Sequence, residues 1–155
     1  MQQNEQLVGT LNELIRYNHD RIRGYERAIE ELESQNMDLQ AIFQDRMSQS
    51  REYVAELESL IGRYGGSPAE DSTISGKLYR VWMDFKATLT GHDRKSVLDS
   101  CVFGEKAALE AYDDALGTDS HLPDDVRRVI VRQKNDIESS LETIKTYAQM
   151  HERIS

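Results

Sequence analysis

The sequence predicts an all-α fold, a four-helix bundle made of two antiparallel hairpins. Three observations carry this. Apolar residues recur at steps of three and four in four long segments, the period of a helix. No segment alternates apolar and polar residues for a strand's length. Two short connections flank one long one, and the only two prolines, Pro68 and Pro123, fall between the periodic segments.

The first helix is expected over residues 5–33, with the seam Leu7, Leu11, Ile15, Asn18, Ile22, Tyr25, Ile29, Leu32. Ser34 to Asn36 forms a short turn, which places the next helix antiparallel beside the first. The second helix runs from Met37 to Tyr64 with the seam Leu39, Phe43, Met47, Ser50, Val54, Leu57, Ile61, Tyr64. Gly65 and Gly66 end it, because glycine takes the left-handed closing conformation at little cost. Residues 65–93 form the long connection. Within it Leu78, Val81, Trp82, Phe85 and Leu89 share one helical face, which predicts a short helix over residues 75–89 lying across the bundle. Its tryptophan, the only one in the chain, is expected to plug the bundle. The third helix starts at Asp93, a good N-cap, and ends at Leu116 before Gly117. Its seam is Leu98, Val102, Glu105, Leu109, Tyr112, Leu116. Pro123, Asp124 and Asp125 suit the first turn of the fourth helix, whose seam is Val126, Ile130, Gln133, Ile137, Leu141, Ile144, Ala148. Two hairpins joined by one long crossover give ferritin-like connectivity.

The chain's 155 residues fit a single domain, residues 1–155, with room for a real core. Lys and Arg number 19 against 28 Asp and Glu, a formal net charge of −9. That balance, with no basic stripe, argues against nucleic acid and against an anionic membrane surface. No apolar run is long enough to span a bilayer. The first residues, Met-Gln-Gln-Asn-Glu-Gln, lack the basic and apolar regions of a signal peptide. One cysteine, Cys101, leaves no internal disulfide framework. A cytoplasmic protein is the expectation.

The most informative feature is polar. Asn18, Ser50, Glu105 and Gln133 interrupt the four seams at about one depth. In a hairpin, residues equidistant from the turn face one another. With turns centred near residues 35 and 119, Asn18 faces Ser50 and Glu105 faces Gln133. The middle of such a bundle is where metal and cofactor sites are built. A buried carboxylate is costly unless it is hydrogen-bonded or bound to metal. Gln133 is the expected partner of Glu105, with Asn18, Ser50 and Tyr53 completing a network. On that expectation Glu105→Gln should cost little.

The segments Asp20-Arg21-Ile22-Arg23-Gly24-Tyr25-Glu26-Arg27-Ala28 and Arg63-Tyr64-Gly65-Gly66 are suggestive of a family. So are the crossover Gly76-Lys77-Leu78-Tyr79-Arg80-Val81-Trp82-Met83-Asp84-Phe85-Lys86-Ala87 and Phe103-Gly104-Glu105-Lys106-Ala107-Ala108-Leu109-Glu110-Ala111-Tyr112, with Leu122-Pro123 before the last helix. Together they resemble a bacterial four-helix-bundle domain of unknown function in the ferritin-like superfamily. The resemblance implies that fold and a small cytoplasmic bacterial protein, and implies no activity. The superfamily's dinuclear sites take a Glu from each of two helices and a Glu-x-x-His from each of the others. At the matching depths stand Asn18, Ser50 with Tyr53, Glu105, and Gln133 with Asp136. Too few anionic oxygens and no imidazoles make a di-iron enzyme a poor expectation.

Two functions are therefore expected in order. The first is a non-enzymatic bundle protein with a degenerate central polar site (Asn18, Ser50, Tyr53, Glu105, Gln133, Asp136), associating as a homodimer or other homo-oligomer. The second is a protein holding a single metal ion (iron, manganese or zinc) at Glu105 and Asp136, with His19 and Glu26 as further ligands. Docking onto another protein through a helical face is a third reading. Cys101 reads as a small core residue, with no general base near it in sequence. Gly24 and Gly104 interrupt helices, and a bulky group is expected against Gly104, either Trp82 or a partner subunit.

Overall fold

The computed structural model describes residues 2–32, 36–69, 80, 82, 94–118 and 122–154, with side chains described for all but residues 2, 3, 118 and 151–154. Four helices account for most of these: α1 (Gln2–Glu31), α2 (Met37–Arg63), α3 (Arg94–Thr118) and α4 (Asp124–Ile154). There is no strand among the described residues. The expected helix over residues 75–89 and the N-cap at Asp93 lie outside them, except that Arg80 and Trp82 are both helical.

The helix ends follow local chemistry. Gly65 has φ 79°, its N–H donates to the Gly62 carbonyl at 3.2 Å, and the Gly66 N–H donates to the Ile61 carbonyl at 3.0 Å. These are the two closing bonds of a Schellman motif. At the start of α4 the Pro123 carbonyl accepts from the Arg127 N–H at 2.9 Å, and Asp124 and Asp125 occupy the first turn, where the helix dipole favours negative charge. Asp125 also accepts from Arg63 at 2.7 Å and from the Tyr64 hydroxyl at 2.8 Å, tying the end of α2 to the start of α4. At the opposite end of the bundle Arg94 grips both carboxylate oxygens of Asp38, at 3.0 and 2.7 Å. The starts of α2 and α3 therefore lie together, and the end of α2 lies at the other end of the bundle from the start of α3.

α1 packs against α2 and α3, and α4 packs against α3 and more sparingly against α2. The apolar core falls into two clusters. One holds Leu11, Ile15, Leu57, Ile61, Tyr112, Val126 and Ile130. The other holds Tyr25, Leu32, Leu39, Phe43, Trp82, Leu98 and Ile144. A polar layer separates them.

The inward face of α1 differs from the expected seam. Ile22 and Ile29 are only partly buried, and the buried series is Leu14, Asn18, Arg21, Tyr25, Ala28, Leu32. Arg21 and Asp20, both charged, are among the most buried residues of the chain.

Candidate functional site: a buried ion pair at the centre of the bundle

Glu105 is fully buried on α3 and Arg21 is 1% exposed on α1. Arg21 Nε donates to Glu105 Oε1 at 2.7 Å, and Nη2 donates to Oε2 at 2.8 Å. This is the bidentate fork that a planar guanidinium makes with a carboxylate. Two serines complete the cluster. Arg21 Nη1 donates to Ser50 Oγ at 2.9 Å, and Ser140 Oγ donates to Glu105 Oε2 at 2.7 Å. The pair and the two serines thus bring together one residue from each helix.

A second tier adjoins the first. Ser50 Oγ donates to Asn18 Oδ1 at 3.0 Å, and Asn18 Nδ2 donates to the Tyr112 hydroxyl at 2.9 Å. Tyr112 donates to Gln133 Oε1 at 2.6 Å. Gln133 Nε2 donates to Glu56 Oε1 at 3.2 Å, where the chain of bonds reaches the surface pair Glu56–Arg132. Tyr53 leads outward as well, donating to Asp136 at 3.1 Å.

Electrostatics match the geometry. Burial pushes the Glu105 carboxyl up, but the Arg21 charge and the bonds from Arg21 and Ser140 outweigh it and hold the carboxyl below its ordinary range. Burial pushes the Arg21 guanidinium down, and Glu105 more than restores it. Both groups are therefore charged. Burial raises the Tyr112 and Tyr53 hydroxyls. Tyr25, whose ring lies 5.6 Å from the Arg21 guanidinium carbon, is raised by burial and then by the Glu105 charge. Its buried hydroxyl faces the Glu105 carboxylate without a well-formed hydrogen bond.

Trp82 seals this layer from the crossover side. Its indole stands edge-on to Tyr25, with ring centroids 4.9 Å apart. A Cβ at Gly24 would come within 2.6 Å of two indole carbons, and one at Gly104 would overlap the ring more deeply. The two mid-helix glycines form a slot for the indole, so Trp82 is the bulky group expected at Gly104.

The expected pairing in the second hairpin is corrected. Glu105 meets Ser140, two helical turns beyond Gln133, and Gln133 meets Tyr112. Both contacts centre the hairpin between residues 122 and 123, not near 119, and α3 extends past the expected end at Leu116 to Thr118. The partner of Glu105 is accordingly Arg21. Asp136 is exposed and lies outside the buried layer, joined to it only through Tyr53, and Glu26 is exposed on α1. His19 lines a separate groove between α1 and α2. Asn18, Ser50, Glu105 and Gln133 are each at most 1% exposed.

These donors do not fit the superfamily's dinuclear centre. Both Glu105 oxygens are engaged by Arg21, and Asp136, Glu26 and His19 do not converge on them. No group of three or more His, Cys, Asp or Glu side chains placed to hold a metal ion occurs among the described residues. A guanidinium supplies the positive charge that a metal would supply there.

A family profile described as Domain of unknown function (DUF2383) matches residues 6–118. The chain belongs to this family. Among solved structures, a mutant of Dps1 from Mycobacterium smegmatis is similar to this DUF2383 chain. The TM-score is 0.81 at 11% identity, over 95% of this chain and 97% of that one. At that identity the likeness establishes the fold, a ferritin-like four-helix bundle. No curated protein matches the chain.

Proposed function

We propose that this chain is a non-enzymatic ferritin-like bundle protein that acts by self-association, with its central polar layer serving as a structural lock. The observation that carries the reading is the Arg21–Glu105 fork. It uses both oxygens of the fully buried Glu105 carboxylate and leaves no open position on it for metal or substrate. A single buried polar residue fixes register in some coiled coils, and the reading extends that role to this pair. Self-association is supported by large apolar side chains on the outer faces, Phe103 on α3 and Val131 on α4. A bacterial, cytoplasmic setting fits the acidic composition and the single buried cysteine. No helix among the described residues is long and apolar enough to cross a membrane.

Sedimentation equilibrium across a hundredfold concentration range tests the association. A mass above 17.8 kDa that rises with concentration is expected. A concentration-independent monomer overturns that part of the reading.

A further inference from the structure

On the face shared by α1 and α2, outside the central layer, His19 and Ile22 meet Arg51, Val54, Ala55 and Glu58 around a groove of about 380 Å³. That size falls within the range of small-molecule pockets. Two features set the groove apart from an ordinary surface dent. His19 Nε2 is closed to solvent yet has no hydrogen-bond partner, a cost that an acceptor in the groove would remove on a turn of the imidazole ring toward it. Arg51 and Glu58 make no ion pair among the described residues, although acidic groups outnumber basic ones across the chain.

The order along the groove defines the ligand. The hairpin geometry sets His19 level with Arg51, so a donor and a guanidinium face one another across the two helices. Val54 and Ala55 supply an apolar strip toward Glu58, and Ile22 lies on the other side of His19. Glu58 stands seven residues beyond Arg51, roughly 10 Å along the helix. An anionic head fits only at the Arg51 end, and a second anion at the far end would meet Glu58.

We propose that this groove binds a small monocarboxylic acid with a short hydrocarbon tail. Its carboxylate would lie between His19 and Arg51 and its tail over Val54 and Ala55. Arg51 suits a carboxylate because its planar fork matches the two oxygens. Because Arg51 is exposed, its side chain can turn to admit the ligand. The apolar strip favours a fatty carboxylate over inorganic phosphate, and Glu58 selects against dicarboxylates.

The test is a titration of the full chain at constant ionic strength, followed by the imidazole C–H resonances. His19 is assigned by the signal lost in His19→Gln. The probes are hexanoate, adipate and inorganic phosphate. Hexanoate should shift the His19 signal saturably, with a Kd on the order of millimolar for so small a ligand. Adipate should shift it little and phosphate not at all. Arg51→Gln, a surface change whose circular dichroism should match the wild type, should weaken hexanoate about tenfold. The proposal is overturned by a His19 signal unmoved by hexanoate, by an equal response to phosphate or adipate, or by unchanged binding in Arg51→Gln.

Discussion

Removing one partner of the Arg21–Glu105 pair should cost far more than removing both. Arg21→Met leaves the fully buried Glu105 carboxylate with Ser140 as its remaining donor. An uncompensated buried charge of this kind costs about 3–5 kcal/mol. For a domain of this size that lowers Tm by roughly 6–20 °C. Glu105→Gln strands the Arg21 guanidinium and should cost a similar amount. This reverses the expectation of a mild effect that followed from pairing Glu105 with Gln133. In Arg21→Met/Glu105→Leu neither charge remains. Ser50 keeps its bond to Asn18, and only the Ser140 hydroxyl loses its partners, at about 1–3 kcal/mol. The double-mutant cycle closed by Glu105→Leu alone, which strands Arg21 as Glu105→Gln does, should therefore show a favourable coupling of at least about 2 kcal/mol. Urea unfolding at fixed protein concentration, followed by circular dichroism and by the fluorescence of Trp82, measures each corner. Single variants that each cost under about 1 kcal/mol, or a double variant equal to the sum of the singles, would refute the reasoning.

Other outcomes follow from the same geometry. Because the Glu105 carboxyl is held below its ordinary range, its contribution is present above the unfolded value near pH 4.3 and is lost as pH falls through the lower folded value. Acid unfolding of the wild type should thus steepen below about pH 4. Glu105→Gln should lack that component, which unfolding free energies measured at several pH values would show. Gly104→Ala drives a methyl group into the Trp82 indole and should cost about 1–3 kcal/mol. Gly9→Ala, a helical site with nothing within 4 Å, should stabilise by up to about 1 kcal/mol. Urea midpoints of the two variants shifting alike would contradict the slot. Tyr112→Phe removes the hydroxyl that joins Asn18 to Gln133 and should cost about 1–3 kcal/mol. Tyr53→Phe, whose partner Asp136 is exposed, should cost less. Chemical unfolding that ranks them the other way would count against the network.

The fold was legible because its signals are local and repeated. Periodicity located the helices, Gly65 and Pro123 marked ends at the right places, and the unequal connections set the hairpin pairing. The polar layer was partly legible, because Asn18, Ser50, Glu105 and Gln133 each break an apolar seam. Its key member was not. Arg21 was passed over because an arginine in a helix is usually solvated. The signal was nevertheless present. Leu14, Asn18, Arg21, Tyr25, Ala28 and Leu32 alternate steps of four and three, as regular a stripe as the one through Ile22 and Ile29. The pairing of Glu105 was misplaced because it depended on where the second turn is centred, and a shift of a few residues there moves the facing residue by two helical turns. Trp82 was legible as a plug, since a lone large indole and two mid-helix glycines are complementary in shape.

The central claim is that an internal cation occupies the place of a metal. Elemental mass spectrometry of the untagged protein, purified after growth with added iron, manganese and zinc, tests it most directly. The account predicts well under one metal ion per chain and no rise in Tm when metals are added to the purified protein. About one metal ion per chain in the wild type, lost in Glu105→Gln, would contradict it.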